Sequence, residues 1–249
     1  MSANGETGYE RDQRANALVA WLHSLRYRRI LRVVDALAAT TAPRPLRVVE
    51  IGCAHAKLFS LLDARWAIDY TGIEPETEFA AAAQTRYGQR RNFRLVRAAA
   101  LDALGELAQA DIVVALETFE HMPEHEVVRV IEAIRAARPA LLVCSVPIEI
   151  GPALWIKNLG SLATGYKRHR EYRWRETLWA GLYRLDHVPA HGTGHRGFDW
   201  RWLAQTVRHN FRIVELRKLP FGWLPAALAF SVFIVAEPRP TDAAETNPV

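Results

Sequence analysis

Between residues 46 and 146, short apolar runs with strand character alternate with longer runs of helical character, and this alternation limits the available folds more than any other property of the chain. The strand-like runs cover residues 46–51, 67–73, 93–96, 111–116 and 140–146, and helical stretches fill 57–64, 76–87, 103–109 and 124–137 between them. Parallel strands cannot be joined by a tight turn. The crossover must carry the chain back to the starting edge of the sheet, and a helix of this length does so. The pattern therefore predicts βαβ units and an α/β fold with a doubly wound, mostly parallel sheet. A helix over 199–209 and two more strand-like runs, 211–219 and 229–236, separated by a turn between Pro220 and Pro225, bring the expected sheet to seven strands.

Two segments stand outside the alternation. Residues 10–39 place Leu18, Trp21, Leu22, Leu25, Ile30, Val33, Val34 and Leu37 at helical spacing, which predicts one or two helices ahead of the sheet, closed by Pro43 and Pro45. Residues 151–193 are longer and more aromatic than an ordinary connection, which marks an insertion that meets the substrate. The expected organisation is a helical cap over 1–45, one main domain over 46–237 containing that insertion, and a frayed polar tail over 238–249.

With 249 residues, 50% hydrophobic and 24% charged, the chain can bury one sizeable core and is neither disordered nor membrane-embedded by composition. Residues 1–14 are polar, without the apolar run of a secretory signal, so a cytoplasmic product is expected. Cys53 and Cys144 lie in apolar strand runs and read as free, buried thiols. The most apolar run, 219–236, is interrupted by Pro225 and falls where the last hairpin belongs, which argues against a membrane span; its Phe221-Gly222-Trp223 tip could still touch a membrane surface. The net charge of +5 is concentrated in residues 155–175, where Lys157, Lys167, Arg168, Arg170, Arg173 and Arg175 oppose Glu171 and interleave with Trp155, Tyr166, Tyr172 and Trp174. Such a stretch suits an anionic partner, or is a solvated helix face.

Chemistry enters at strand ends. The run Val48 to Ile51 contains Glu50 and closes at Gly52, followed by the small residues Cys53, Ala54 and Ala56 that open a helix. Small residues let the backbone approach a ligand at a helix N-terminus, where unpaired N–H groups favour anions. A second strand-like run ends in Glu74-Pro75, about 20 residues further on, where a ribose hydroxyl partner belongs in folds of this kind. The third signal is weaker, Ala98-Ala99-Ala100-Leu101-Asp102, and the fourth is a strand ending in Leu116-Glu117, followed by Glu120, His121 and Pro123.

Together these motifs resemble the class I S-adenosylmethionine-dependent methyltransferase superfamily over residues 46–236, with the Rossmann-like methyltransferase fold. The resemblance implies that Glu50 and the loop Gly52, Cys53 and Ala54 wrap the methionine part of the cofactor. It also implies that Glu74, with Pro75, holds both ribose hydroxyls, that Ala100 and Leu101 give backbone contacts near the adenine, and that Leu116 and Glu117 meet the cofactor's amino group. Ala54 and Ala56 depart from the glycines usual in the family and put one methyl group each near the cofactor or the helix.

Glu117, Glu120 and His121 are similar to the branch that contains the ubiquinone-pathway O-methyltransferases and the small-RNA 2′-O-methyltransferases. That likeness implies a divalent cation such as magnesium held by Glu117, Glu120 and His121, with His195 as a further ligand. Two other readings stay open: a metal-free base at His121 with Glu120 beside it, and a structural cap on the helix that begins near Pro123. His169, His187 and His191 read as solvated loop residues, while Glu149, Trp155 and Lys157 follow the fifth strand and are expected to contact substrate.

The expected reaction is methyl transfer to the oxygen of a small anionic or amphipathic acceptor, such as a lipid-linked glycan or a quinone-like molecule. RNA 2′-O-methylation and non-catalytic S-adenosylmethionine binding are the rivals. Nucleic acid is disfavoured by the low net charge and the lack of a separate RNA-binding module, and the sequence does not define the oligomeric state.

Overall fold

The structure is a computed structural model that describes residues 17–164 and 172–240. Lys167, Arg168 and Arg170 of the basic stretch, Tyr166, His169, and residues 241–249 of the tail lie outside the described residues.

One long helix, α1 (Ala17–Thr41), precedes the sheet. It contains no proline or glycine, and its Ile30, Leu31 and Val34 are buried against the sheet, so nothing breaks it into two. The chain then runs through β1 (Leu46–Ile51), α2 (Lys57–Asp63), β2 (Ile68–Ile73), α3 (Thr77–Tyr87) and β3 (Phe93–Val96). A 3-10 segment (Ala100–Gln109) with a kink at Ala103 replaces the expected α-helix, followed by β4 (Ile112–Leu116), α4 (Glu124–Ala137) and β5 (Leu141–Pro147). The insertion forms α5 (Pro152–Thr164) and α6 (Trp174–Gly181), after which α7 (Trp200–Asn210), β6 (Phe211–Leu219) and β7 (Ser231–Pro238) complete the domain.

The seven strands lie in the order β3-β2-β1-β4-β5-β7-β6. The first five are mutually parallel, and β7 runs antiparallel to both β5 and β6. Every residue of β4 is buried, as expected for a strand covered by helices on both faces. On α4 the buried residues Val127, Val130, Ile131 and Ile134 recur at helical spacing and pack on the sheet, each contributing about 1.5–3 kcal/mol by removal from water. Cys53 and Cys144 are free and buried.

Two consequences position the site. Strand order reverses between β1 and β4, which opens a crevice at their carboxyl ends. The β6–β7 connection lies at that same edge, because Leu219 pairs with Ser231 and Ser231 pairs with Pro147 at the end of β5. Among the described residues no helix is long and apolar enough to cross a membrane.

Candidate active site

The loop after β1 turns through three left-handed residues, Gly52 (φ 69), Ala54 (φ 46) and Ala56 (φ 53). At Gly52 the requirement is steric as well as conformational, since a Cβ there would lie 2.6 Å from the Thr118 side chain. Thr118 is held in place by its hydroxyl, which donates to the Ile51 carbonyl at 3.0 Å. The loop after β4 thus sets the shape of the loop after β1. Ala54 and Ala56 adopt the same conformation with a side chain, at a strain of about 1–2 kcal/mol each.

Glu74 stands at the centre of this turn. The Ala54 N–H donates to its Oε2 at 2.8 Å and the Glu76 N–H to its Oε1 at 3.0 Å, so backbone from the loops after β1 and β2 fixes one carboxylate. Burial nevertheless pushes its pKa above the ordinary value, against the pull of those two bonds. Each oxygen keeps a lone pair with which to accept a further hydroxyl. Pro75 is exposed just beyond it, while Ala100 and Leu101 open the 3-10 segment half-buried against the core.

Glu50 is buried beneath the loop and accepts a short hydrogen bond from the Tyr70 hydroxyl. Burial raises its pKa to about 8, with the Tyr70 bond and the Arg26 charge opposing the rise. Arg26 of α1 was not among the expected site residues. It is 7% exposed, bonds His23 Nδ1 at 2.7 Å and lies 3.6 Å from Glu117 Oε2. A long helix that begins outside the sheet therefore delivers a guanidinium between two acids of the crevice. Its signal was present: Arg26 sits four residues after Leu22 and four before Ile30, a cation on the apolar stripe.

At the end of β4, Leu116 is buried, and Glu117 follows in left-handed backbone (φ 55), its Oε1 accepting from the Ser145 hydroxyl at 3.0 Å. Glu120 is fully buried, and His121 Nε2 is 4.0 Å from its Oε1. The His121 ring meets the His195 ring edge-on with centroids 5.0 Å apart. Burial holds the His121 pKa below its usual 6.5, while the Glu117 charge opposes this and His191 reinforces it. The residue at the N-cap of α4 is Pro123, which makes no side-chain cap hydrogen bond. Among the described residues, no group of three or more His, Cys, Asp and Glu side chains is placed to hold a metal ion, so Glu117, Glu120, His121 and His195 do not converge as a ligand set.

Behind the two histidines, Glu149 is fully buried, with its Oε1 3.3 Å from Lys157 Nζ and 3.7 Å from His195 Nδ1. Lys157 also donates to the Ile148 carbonyl at 2.7 Å. The Tyr172 hydroxyl donates to the His195 carbonyl at 3.1 Å and accepts from the Gly197 N–H at 2.8 Å, tying the start of α6 to this corner. Trp155 is placed between α5 and α6: its indole N–H donates to the Thr177 carbonyl at 2.8 Å, and its ring fills the space a Gly181 side chain would need. The structure thus gathers Glu149 and Lys157 with the two histidines and leaves Trp155 in helix packing.

The crevice fits S-adenosylmethionine in its donor and acceptor set: a carboxylate anchored by backbone at Glu74, a turn that admits no side chain at Gly52, acids at Glu50 and Glu117, and a buried cation at Arg26. The model of the methyltransferase-domain family matches residues 21–216, and the chain belongs to that family. It is a class I S-adenosylmethionine-dependent methyltransferase.

Solved structures show the same fold at low identity. Magnesium protoporphyrin IX methyltransferase (ChlM) from Synechocystis PCC 6803 with bound SAH is 17% identical, with a TM-score of 0.57 over 94% of this chain and 96% of that one. The methyltransferase domain of a bacterial Hen1 (CtHen1) is 14% identical, with a TM-score of 0.56 over 87% and 99%. The N-methyltransferase NodS from Bradyrhizobium japonicum WM9 is 13% identical, with a TM-score of 0.52 over 88% and 97%. No curated protein sequence matches the chain.

Proposed function

We propose that the protein methylates a hydroxyl oxygen of a small anionic or amphipathic acceptor, with His121 taking the acceptor's proton. The observation that carries this reading is the state of His121. Its side chain is 53% exposed at the crevice, so an acceptor can reach it, and burial of the ring holds its pKa below the usual 6.5. At neutral pH it is therefore an unprotonated imidazole able to accept a proton. Glu117 is the nearby negative charge that stabilises the imidazolium once the proton arrives.

When bound, S-adenosylmethionine supplies an activated methyl group. Glu74 would hold its ribose hydroxyls, the turn at Gly52, Cys53 and Ala54 its methionine part, and Arg26 its carboxylate. Most of the acceleration then comes from holding the acceptor oxygen in line with that methyl group. Glu149 and Lys157, joined as a buried pair, form the polar floor on which His195 rests and against which the acceptor's polar end would bind.

Replacing His121 with alanine should lower turnover about a hundredfold or more, read as S-adenosylhomocysteine release with an acceptor hydroxyl, while calorimetric affinity for S-adenosylhomocysteine stays within about twofold. Turnover should survive chelation of divalent cations. Loss of activity in chelator, reproduced by His195→Ala, would give His121 to a metal instead, and full activity of His121→Ala would end the base assignment.

A further inference from the structure

We infer that the carboxyl edge of the sheet, at the mouth of the active site, docks on an anionic lipid bilayer. The β6–β7 connection ends in a projecting aromatic pair: Phe221 is 47% and Trp223 79% exposed, their rings stacked 5.8 Å apart at 16°. Trp21 of α1 adds a third ring, 6.4 Å from Phe221. Large apolar side chains left together in water at one projecting point are unfavourable for an isolated globule, and such a patch marks a contact surface.

The tip belongs to the mouth of the site rather than to a remote corner. Arg26, which touches Glu117, follows Trp21 by five residues on the same helix, about 8 Å along its axis. The next ring of the hairpin, Phe230, meets His23 of that helix edge-on at 5.8 Å and lies beneath the Lys157 ammonium at 4.7 Å. The ring series thus runs from the tip to the lysine that pairs with Glu149.

Charge selects the partner. Arg217 is exposed and lies beside Gly222 at the tip, and Arg173 and Arg175 are exposed at the start of α6, where Arg175 lies 5.2 Å over the ring of the 73% exposed Trp174. Exposed aromatic rings interleaved with cations match the headgroup layer of an anionic membrane, where rings sit at the boundary and cations meet lipid phosphates. An acceptor whose apolar part stays in the bilayer would then present its polar end directly to His121; this rests on the amphipathic-acceptor reading above.

The test uses the full chain and vesicles, without any acceptor. The protein should co-sediment with phosphatidylcholine vesicles that contain phosphatidylglycerol, bind vesicles of phosphatidylcholine alone far less, and lose binding as salt rises. The double variant Phe221→Ser, Trp223→Ser should lose binding about tenfold or more while keeping wild-type affinity for S-adenosylhomocysteine, which certifies its fold. Equal binding by wild type and double variant would overturn the inference, as would absence of wild-type binding to anionic vesicles. Wild-type self-association or retention by single-stranded RNA in place of vesicle binding would overturn it too, by giving the surface to another partner. None of these readouts depends on methyl transfer, so a failed His121 experiment and a failed docking experiment remain separate.

Discussion

The two edges of the sheet treat charge in opposite ways. At the amino edge, Asp111 immediately precedes β4 and receives Arg44 at 2.6 and 2.9 Å, the Arg47 N–H at 2.9 Å and the Arg47 guanidinium at 3.1 Å. Although burial alone would raise it, these bonds hold the Asp111 carboxyl down at about 2. At the carboxyl edge, Glu50 and Glu74 are buried with pKa values pushed up, His121 has its own pushed down, and Ala54, Ala56 and Glu117 take left-handed backbone. One edge satisfies its charges and gains stability from them. The other gives up stability to hold buried acids, an imidazole and a strained turn together, a pattern that marks functional edges.

The contrast is sharpened most by Glu74. Glu74→Ala removes the carboxylate that two backbone N–H groups hold in place, and S-adenosylhomocysteine affinity measured by calorimetry should fall about tenfold to a hundredfold, the value of a hydrogen bond to a charged group. An unchanged affinity would mean the carboxyl edge is not the cofactor site. Asp111→Asn, by contrast, should leave that affinity unchanged.

Stability against pH offers a second way to break the contrast, because the two edges carry opposite signs. Asp111 is shifted down from 3.8, so its contribution, about 2 kcal/mol, is present above pH 3.8 and is lost as pH falls toward 2. Glu50 is shifted up from 4.5, so the neutral form favours folding below pH 4.5, and that advantage is lost as pH rises through about 8. Urea unfolding across this range should show Asp111→Asn flattening the acid limb and Glu50→Gln flattening the alkaline limb. The same slope in Glu50→Gln as in wild type would show that Glu50 is already ionised by a partner.

The smallest expected effect is Ala54→Gly, which releases a left-handed alanine and should raise stability by about 0.5–1 kcal/mol in the same assay. A loss would mean that the methyl group packs on the loop and that the turn is not strained.

Much of this architecture could be read before any coordinates. The strand-like runs at 93–96 and 211–219 became β3 and β6 with the same bounds, and the helical stretch 124–137 became α4. The turn after β1 and the acid at the end of β2 were legible for the same reason, since a strand ending in a small-residue turn or an acid is a local pattern. Less was legible where a pattern was interrupted. The 25 residues of α1 form a single helix, within the one or two expected, and the continuous buried stripe decided between the two counts. Residues 103–109 looked α-helical but belong to a kinked 3-10 segment.

The sequence by itself determined which residues lie on strands and helices, and which strand ends carry chemistry, because periodicity and turn composition are properties of neighbours along the chain. Only the tertiary structure decided which of those residues meet. Thr118 closes on Gly52, Tyr70 bonds Glu50, Arg26 comes within 3.6 Å of Glu117, and the ring of His121 meets that of His195 edge-on. These contacts depend on strand order and, for Arg26, on where α1 packs against the sheet. Such long-range packing has no period in the sequence, since it comes from burying whole faces against one another and not from any local run of residues.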